Sequence, residues 1–298
     1  MIYIIENEAL QVKVNSLGSE LWSLIDKKTG TQHLWQGDPA VWPRRAPNLF
    51  PVCGKLKGGK ALINANEYAI PLHGFLRDYE HTLIEQTASR LRLRFTQNEE
   101  TQKIYPFCFQ VDTVFSLKGN TLIQAFEVTN TGAETLPFSI GYHAGYRCPF
   151  DEKHAVGDYK LVFDQCENAT NLVNEDLIIV GEEPFLQEQR ELKLRDGLFA
   201  PNFALTQLRS NSISIVEEGS GRALKVRISG FPAVVLWSAP GKVRFVCIEP
   251  WYGMFEPKED YGEFIHKPLL QVLKAGGQFS CEQQITVVQG NDKEFGEE

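Results

Sequence analysis

The chain predicts an all-β fold, a large antiparallel sandwich of the supersandwich kind, on three observations. Apolar and polar residues alternate with period two along most of its length. Glycine-bearing turns separate the alternating runs, about 8 to 12 residues apart. No stretch of a dozen residues sustains an i, i+3, i+4 apolar pattern free of Gly or Pro, so long helices are not expected. In chain order, 9–14 reads as a half-buried strand and 38–41 as a single capped turn. A strand over 66–72 leads into the turn at His73, and 90–95 alternates again. Gly119-Asn120, between 107–117 and 121–130, is a hairpin turn that needs positive φ. The polar, acidic stretch 164–191 is expected to be a long excursion carrying a few short elements. Runs at 212–216 and 223–228 alternate, 243–248 is an apolar strand, and Ala275-Gly276-Gly277 is expected to turn a hairpin between 270–273 and 279–288. The tail from Gly290 is expected to fray.

At 298 residues, with 43% hydrophobic content and 19 Phe, 9 Tyr and 5 Trp, the chain has enough apolar surface for one large core, and residues 1–298 read as a single domain. A net charge of −8 with no cluster of Lys and Arg longer than a pair excludes a nucleic-acid footprint. The first eight residues turn acidic before a signal-peptide core can form, and apolar runs such as 233–237 are far too short to cross a membrane. Six scattered cysteines without a C-x-x-C pair read as reduced thiols of a cytoplasmic protein.

Three segments carry chemistry-bearing residues among glycines, prolines and aromatics: Pro71-Leu72-His73-Gly74, Gly141-Tyr142-His143-Ala144-Gly145 and Cys247-Ile248-Glu249-Pro250-Trp251. Glu249 closes an apolar run, and a carboxylate at an inward strand position must be paired, hydrogen-bonded or functional. Burial raises the pKa of such a group, so a Glu near a His forms an acid/base couple suited to neutral pH. Against this stand a salt bridge for Glu249, a satisfied core histidine for His143 and a locally bonded turn histidine for His73. Tyr142 and Trp251 are candidate stacking faces for a sugar ring. No H-E-x-x-H pattern is present, so no metal is assigned, although three ligands on separate strands remain geometrically open.

In order and spacing these segments, with Trp35-Gln36-Gly37-Asp38-Pro39 and Pro47-Asn48-Leu49-Phe50-Pro51-Val52-Cys53-Gly54, resemble the aldose 1-epimerase (galactose mutarotase-like) family and its LacX-like bacterial branch. The resemblance covers nearly the whole chain and implies a β-supersandwich, no metal and no organic cofactor. It implies His143 as general acid, His73 as supporting histidine and Glu249 as general base. Lys55 stands where the family pattern has a sugar-binding arginine, with Arg44 or Arg45 as replacements, and Arg77 follows His73. The family's sugar-binding aspartate falls near Asp196 or Asn202.

The implied function is interconversion of the α and β anomers of a free aldohexose by a monomer or homodimer. Two alternatives stay open. Arg44, Arg45, Lys55, Lys57 and Arg77 near the candidate segments favour a hexose-6-phosphate 1-epimerase, and the fold also supports a non-catalytic carbohydrate-binding protein.

Overall fold

The computed structural model describes residues 1–290. The frayed tail expected from Gly290 onward falls almost wholly on 291–298, which lie outside the described residues.

The expected antiparallel β architecture is present. Among the described residues, one sheet of sixteen strands winds through the molecule, with a three-stranded sheet and two strand pairs beside it. In spatial order the large sheet runs Asn48–Leu49, Ile140–Tyr142, Phe245–Tyr252, Ala233–Trp237, Phe203–Thr206, Tyr159–Glu175, Ser212–Glu217, Ala223–Arg227, Gln278–Val288, Thr121–Asn130, Phe109–Lys118, Arg90–Thr96 and Thr82–Gln86. The alternation read from the sequence sets these faces. In Thr121–Asn130, Leu122, Gln124, Phe126, Val128 and Asn130 are buried and the residues between them half-buried. Gly119 takes φ +55 in the tight turn that pairs Lys118 with Thr121, as the hairpin requires.

The three-stranded sheet, Ile2–Glu6, Leu10–Asn15 and Glu20–Asp26, lays Ile5, Leu10, Val12, Val14, Leu21 and Leu24 against large-sheet residues such as Leu161, Ile215, Val246 and Ile248. A second core, rich in rings, gathers Phe50, Phe75, Tyr105, Phe109, Phe126 and Phe138. Helix is scarce. One turn and a half, Glu99–Ile104, starts from an Asn98 side chain that accepts from the Glu100 and Thr101 N–H groups. The turn at Asp38 also forms, its carbonyl accepting from Val41 and Trp42 N–H.

Two expectations are corrected. Residues 164–191 are not a loose excursion. They belong to the longest hairpin of the chain, Tyr159–Glu175 against Ile178–Lys193. Register shifts between Val162 and Glu167, Glu167 and Ala169, and Val173 and Asn174 break the period-two pattern in the first arm, and the second arm is largely exposed, so neither carried a clear strand signal. Gly276-Gly277 does turn the chain, but not as a hairpin. Gln271–Leu273 pairs with Leu136–Phe138, whereas Gln278–Val288 pairs with Thr121–Asn130 and Ala223–Arg227.

Candidate active site

Phe245–Tyr252 is the strand on which the site is built. Val246 and Ile248 face the main core, fully buried, and the alternate face carries Cys247, Glu249 and Trp251. Glu249 thus lies inside the strand, not at its end. Two short strands zip onto this one from the same side: Gly141 pairs with Trp251, and Gly145 with Cys247. That register puts position 143, in the gap between them, opposite Glu249. The flanking glycines open space for rings. A Cβ on Gly141 would meet Trp251 Cδ1 at 2.4 Å, and one on Gly145 would meet Trp42 Cζ3 at 2.9 Å.

His143 Nδ1 and Glu249 Oε2 stand 3.4 Å apart, misaligned for a hydrogen bond, and His143 Nδ1 and both Glu249 oxygens are buried without a partner. The expected alternatives of a salt-bridged Glu and a satisfied core His are therefore not what the structure holds. Burial pushes the Glu249 carboxyl well above the carboxylate range. His143 is pushed down to about 3, first by burial and then by the Arg77 and Arg44 charges. Both shifts favour the proton on the carboxyl beside a neutral imidazole, as expected of two coupled buried groups. The imidazole is fixed by stacking on Trp42 at 5.1 Å and meeting Trp237 edge-on at 5.6 Å.

His73 is seated by backbone. Its Nδ1 accepts from Gly54 N–H at 3.1 Å while its own N–H donates to the Gly54 carbonyl at 2.7 Å. With Nδ1 accepting, the ring proton sits on Nε2, which makes His73 a neutral donor. Burial, then His143, Arg77 and Arg44, hold its pKa well below the ordinary value. Gly54 cannot be replaced: it has φ +82, and a Cβ there would lie 2.8 Å from Phe255 Cδ1. Gly54→Ala is expected to cost about 2 kcal/mol or more, since the left-handed backbone alone costs about 1–2 kcal/mol. It should also move the His73 imidazole ¹⁵N shifts. Urea unfolding and NMR check both, and a variant as stable as wild type with unmoved shifts would refute this seat.

Around these groups lies a cavity of about 400 Å³, lined by Trp42, Arg44, His73, Arg77, His143, Leu177, Asn202, Trp237, Glu249, Trp251 and Phe255 among others. Its size suits a monosaccharide-sized ligand. Arg44 donates to Asp78 Oδ1 at 2.7 Å, and Arg77 reaches the Leu72 carbonyl at 2.6 Å while its buried Nε, without a hydrogen bond, stands 3.8 Å from Asp78 Oδ2.

Of the residues singled out in the sequence, the cavity gathers His73, Arg77, His143, Glu249 and Trp251. Tyr142, Arg45, Lys55 and Asp196 lie elsewhere. Tyr142 is a core residue, 1% exposed, stacked on Phe126 at 4.4 Å and donating its hydroxyl to the Gln124 carbonyl at 2.9 Å. Arg45 folds over Trp22 and donates to the Trp22 carbonyl and Gln36 Oε1. Lys55 pairs with Asp176. Asp196 is exposed, accepts from Val243 N–H at 2.9 Å and borders a separate groove of about 960 Å³. Arg44 and Asn202, the alternatives for Arg45 and Asp196, are the ones in the cavity.

Trp42, Trp237, Leu177 and Phe255 escaped the sequence reading. Trp237 carried a usable signal, since it ends the apolar run 233–237 and pairs with Cys247 two positions from Glu249. The donor atoms of His143, Cys247 and Glu249 lie within 4.8 Å of one another, as metal ligands do. Burial and Glu249 push the Cys247 thiol well up, however, which keeps it protonated and a poor ligand. In a second such group, Asp151, His154 and Glu217, the Arg222 guanidinium already supplies the cation, bonding Asp151 and Glu217.

A sequence profile of the family described as Aldose 1-epimerase matches residues 1–296. The plasmid-borne protein LacX of Lactococcus lactis subsp. lactis is 34% identical over 281 residues, 91% of this chain and 93% of that protein. A galactose mutarotase related enzyme from Lactobacillus acidophilus superposes with a TM-score of 0.93 at 28% identity, covering 98% of this chain and 99% of the other. A galactose mutarotase-like protein from Lactobacillus casei has the same fold, with a TM-score of 0.88 at 23% identity over 97% and 100% of the two chains.

Proposed function

Because this chain belongs to the aldose 1-epimerase family, we propose that it interconverts the α and β anomers of a free aldohexose with His143 and Glu249 as the proton-transfer pair and His73 as a donor to the sugar. The observation that carries this is the unpartnered Glu249 carboxyl, 3.4 Å from His143 Nδ1 on a cavity wall. Buried polar atoms without partners are costly, and a sugar's hydroxyl and ring oxygen are groups that would satisfy them.

In the cyclic complex the proton lies on His143, and Glu249 is a carboxylate. Glu249 takes the proton of the C1 hydroxyl as His143 gives its own to the ring oxygen. The C1–O5 bond breaks, and rotation about C1–C2 followed by closure returns both protons. Ring opening leaves a neutral imidazole and a protonated carboxyl, the arrangement that burial favours in the empty site. The protein's own preference therefore sides with the open-chain aldehyde. No proton has to come from water, because both arrangements of the pair hold the same number.

The test is polarimetry or proton NMR on freshly dissolved α-D-glucose and α-D-galactose. Acceleration that disappears in His143→Asn supports the reading. No acceleration of either sugar, with tight binding by calorimetry, would leave a binding protein instead.

One observation favours a phosphorylated substrate. Arg44 and Arg77 both line the cavity and share a single carboxylate, Asp78. Glucose 6-phosphate anomerising faster than free glucose would select that reading; no acceleration would remove it. Residues 1–298 are taken as one domain of a cytoplasmic protein, in keeping with six free cysteines. Among the described residues no helix is long and apolar enough to cross a membrane.

A further inference from the structure

The hairpin Tyr159–Glu175 and Ile178–Lys193 ends in a two-residue turn, Asp176-Leu177, with φ +49 and +63. Two residues of positive φ make a turn that asparagine and glycine serve best, and a leucine there is strained. This strained leucine is also the hairpin's one contribution to the active-site cavity, where it joins Asn202, Trp251 and Phe255. The tip is fastened where it lies. Lys55 pairs with Asp176, and Glu256 N–H donates to the Leu177 carbonyl at 3.3 Å. Ile178 and Ile179 run parallel to Glu256 and Pro257. Glu256 is itself anchored, accepting from Lys267 Nζ at 2.7 Å and from the Tyr261 hydroxyl at 2.9 Å. One residue further in, Asn174 donates to Asn202 Oδ1 at 2.8 Å, so the same hairpin also orients a polar residue of the cavity wall.

We propose that Leu177 is the specificity-determining residue of this cavity, an apolar stop delivered by the hairpin tip that decides which substituents of the sugar ring are accepted. The reasoning rests on the anomerase reading of the site. The reacting groups His143 and Glu249 are fixed by strand register and are indifferent to the rest of the sugar. The cavity's other apolar walls belong to the site's own elements: the rings of Trp42, Trp237, Trp251 and Phe255, several of them packed against the reacting groups or one another, Leu72 beside His73, Val235 opposite Glu249, and Pro43 beside Trp42. Leu177 comes instead from a remote hairpin and packs against the cluster that holds Trp251 and Phe255. Conformational strain is accepted there for the sake of a side chain that a glycine would not supply. Lys55, expected from the sequence to touch the sugar, acts on it at one remove, by holding the tip.

The experiment compares wild type, Leu177→Gly and Leu177→Ala across D-xylose, D-glucose, D-galactose, D-fucose and glucose 6-phosphate. These sugars differ in what they carry at C4 and C6. It measures kcat/KM for anomerisation and Kd by calorimetry or ligand-observed NMR. Leu177→Gly relieves the backbone strain, so its thermal midpoint should equal or exceed that of wild type, while the ratio of kcat/KM between the best and worst sugars should change about tenfold or more, the size of effect expected from reshaping one apolar wall. A ratio that holds within twofold in a fully folded Leu177→Gly overturns the proposal. If wild type turns over none of the sugars but binds them, the anomerase reading fails and the Kd ratios decide the fate of Leu177. If wild type neither binds nor converts any of them, both fall.

Discussion

Glu249→Gln is expected to lower anomerisation by about 10²- to 10⁴-fold, the usual contribution of a positioned acid or base, and to make the protein more stable above neutral pH. The two effects share one cause. In wild type the Glu249 carboxyl is buried without a partner and its pKa is raised. A raised folded-state pKa means that the native state holds the proton more tightly than the unfolded chain does. Its contribution to stability is therefore complete below the ordinary carboxylate value and is lost as pH rises through the raised one. Glutamine keeps the shape, carries no charge to bury and can donate to the unpartnered His143 Nδ1. The stability gap between variant and wild type should be small near pH 4 and widen toward pH 9. Urea titrations at several pH values, run beside polarimetry, read both effects. A variant with near-normal rates removes Glu249 from the mechanism, and a gap that does not grow with pH refutes the buried, unpaired carboxyl.

The second large effect is acid lability. His33, His73, His81 and His143 are all buried, and burial depresses each, to about 4 for His33 and His81 and about 3 for His143. A depressed folded-state value means stability that is present above the unfolded value of 6.5 and lost as pH falls through the folded one. The window is therefore from about 6.5 down to 4 for His33 and His81, and lower for His143. Holding a histidine at about 4 corresponds to about 3 kcal/mol of preference for the neutral ring. Both nitrogens of His33 are unpartnered, with Phe150 edge-on at 5.3 Å, so protonation there gains no hydrogen bond, and the Asp26 charge offsets burial only in part. The thermal midpoint should drop steeply below pH 6, and His33→Leu should remove about one proton from the uptake on unfolding. Calorimetry from pH 8 to 4 measures this, and a flat midpoint across that range would sink the account.

Much of the site was legible in the sequence because strand alternation is a direct record of which face is buried. Glu249 stood out as a charge among Cys247, Ile248 and Trp251, and His143 as an imidazole ending an apolar run. What alternation does not record is register between distant strands. That is why Tyr142, beside His143, read as a pocket residue: in a strand its side chain points to the opposite face, into the core against Phe126. Arg45 and Arg44 were interchangeable on paper for the same reason, and only Arg44 faces the cavity. The long hairpin was lost because bulges reset the period of its first arm and its second arm faces solvent, and Leu177 was lost with it. Lys55 was read as a sugar-binding charge, but it pairs with Asp176, 121 positions away, a separation that no local pattern spans.

The two faces of Phe245–Tyr252 divide the strand's duties residue by residue. Val246 and Ile248 face the main core, and Cys247, Glu249 and Trp251 the side on which the cavity lies. Substitutions at the odd-numbered positions therefore reach the site as well as the packing of Cys247 and Trp251, whereas those at Val246 and Ile248 act through the main core alone. Descendants of such a strand are free to try new reactions on an inherited scaffold, provided none inserts or deletes a residue, since a slip of one would exchange the two roles along its whole length.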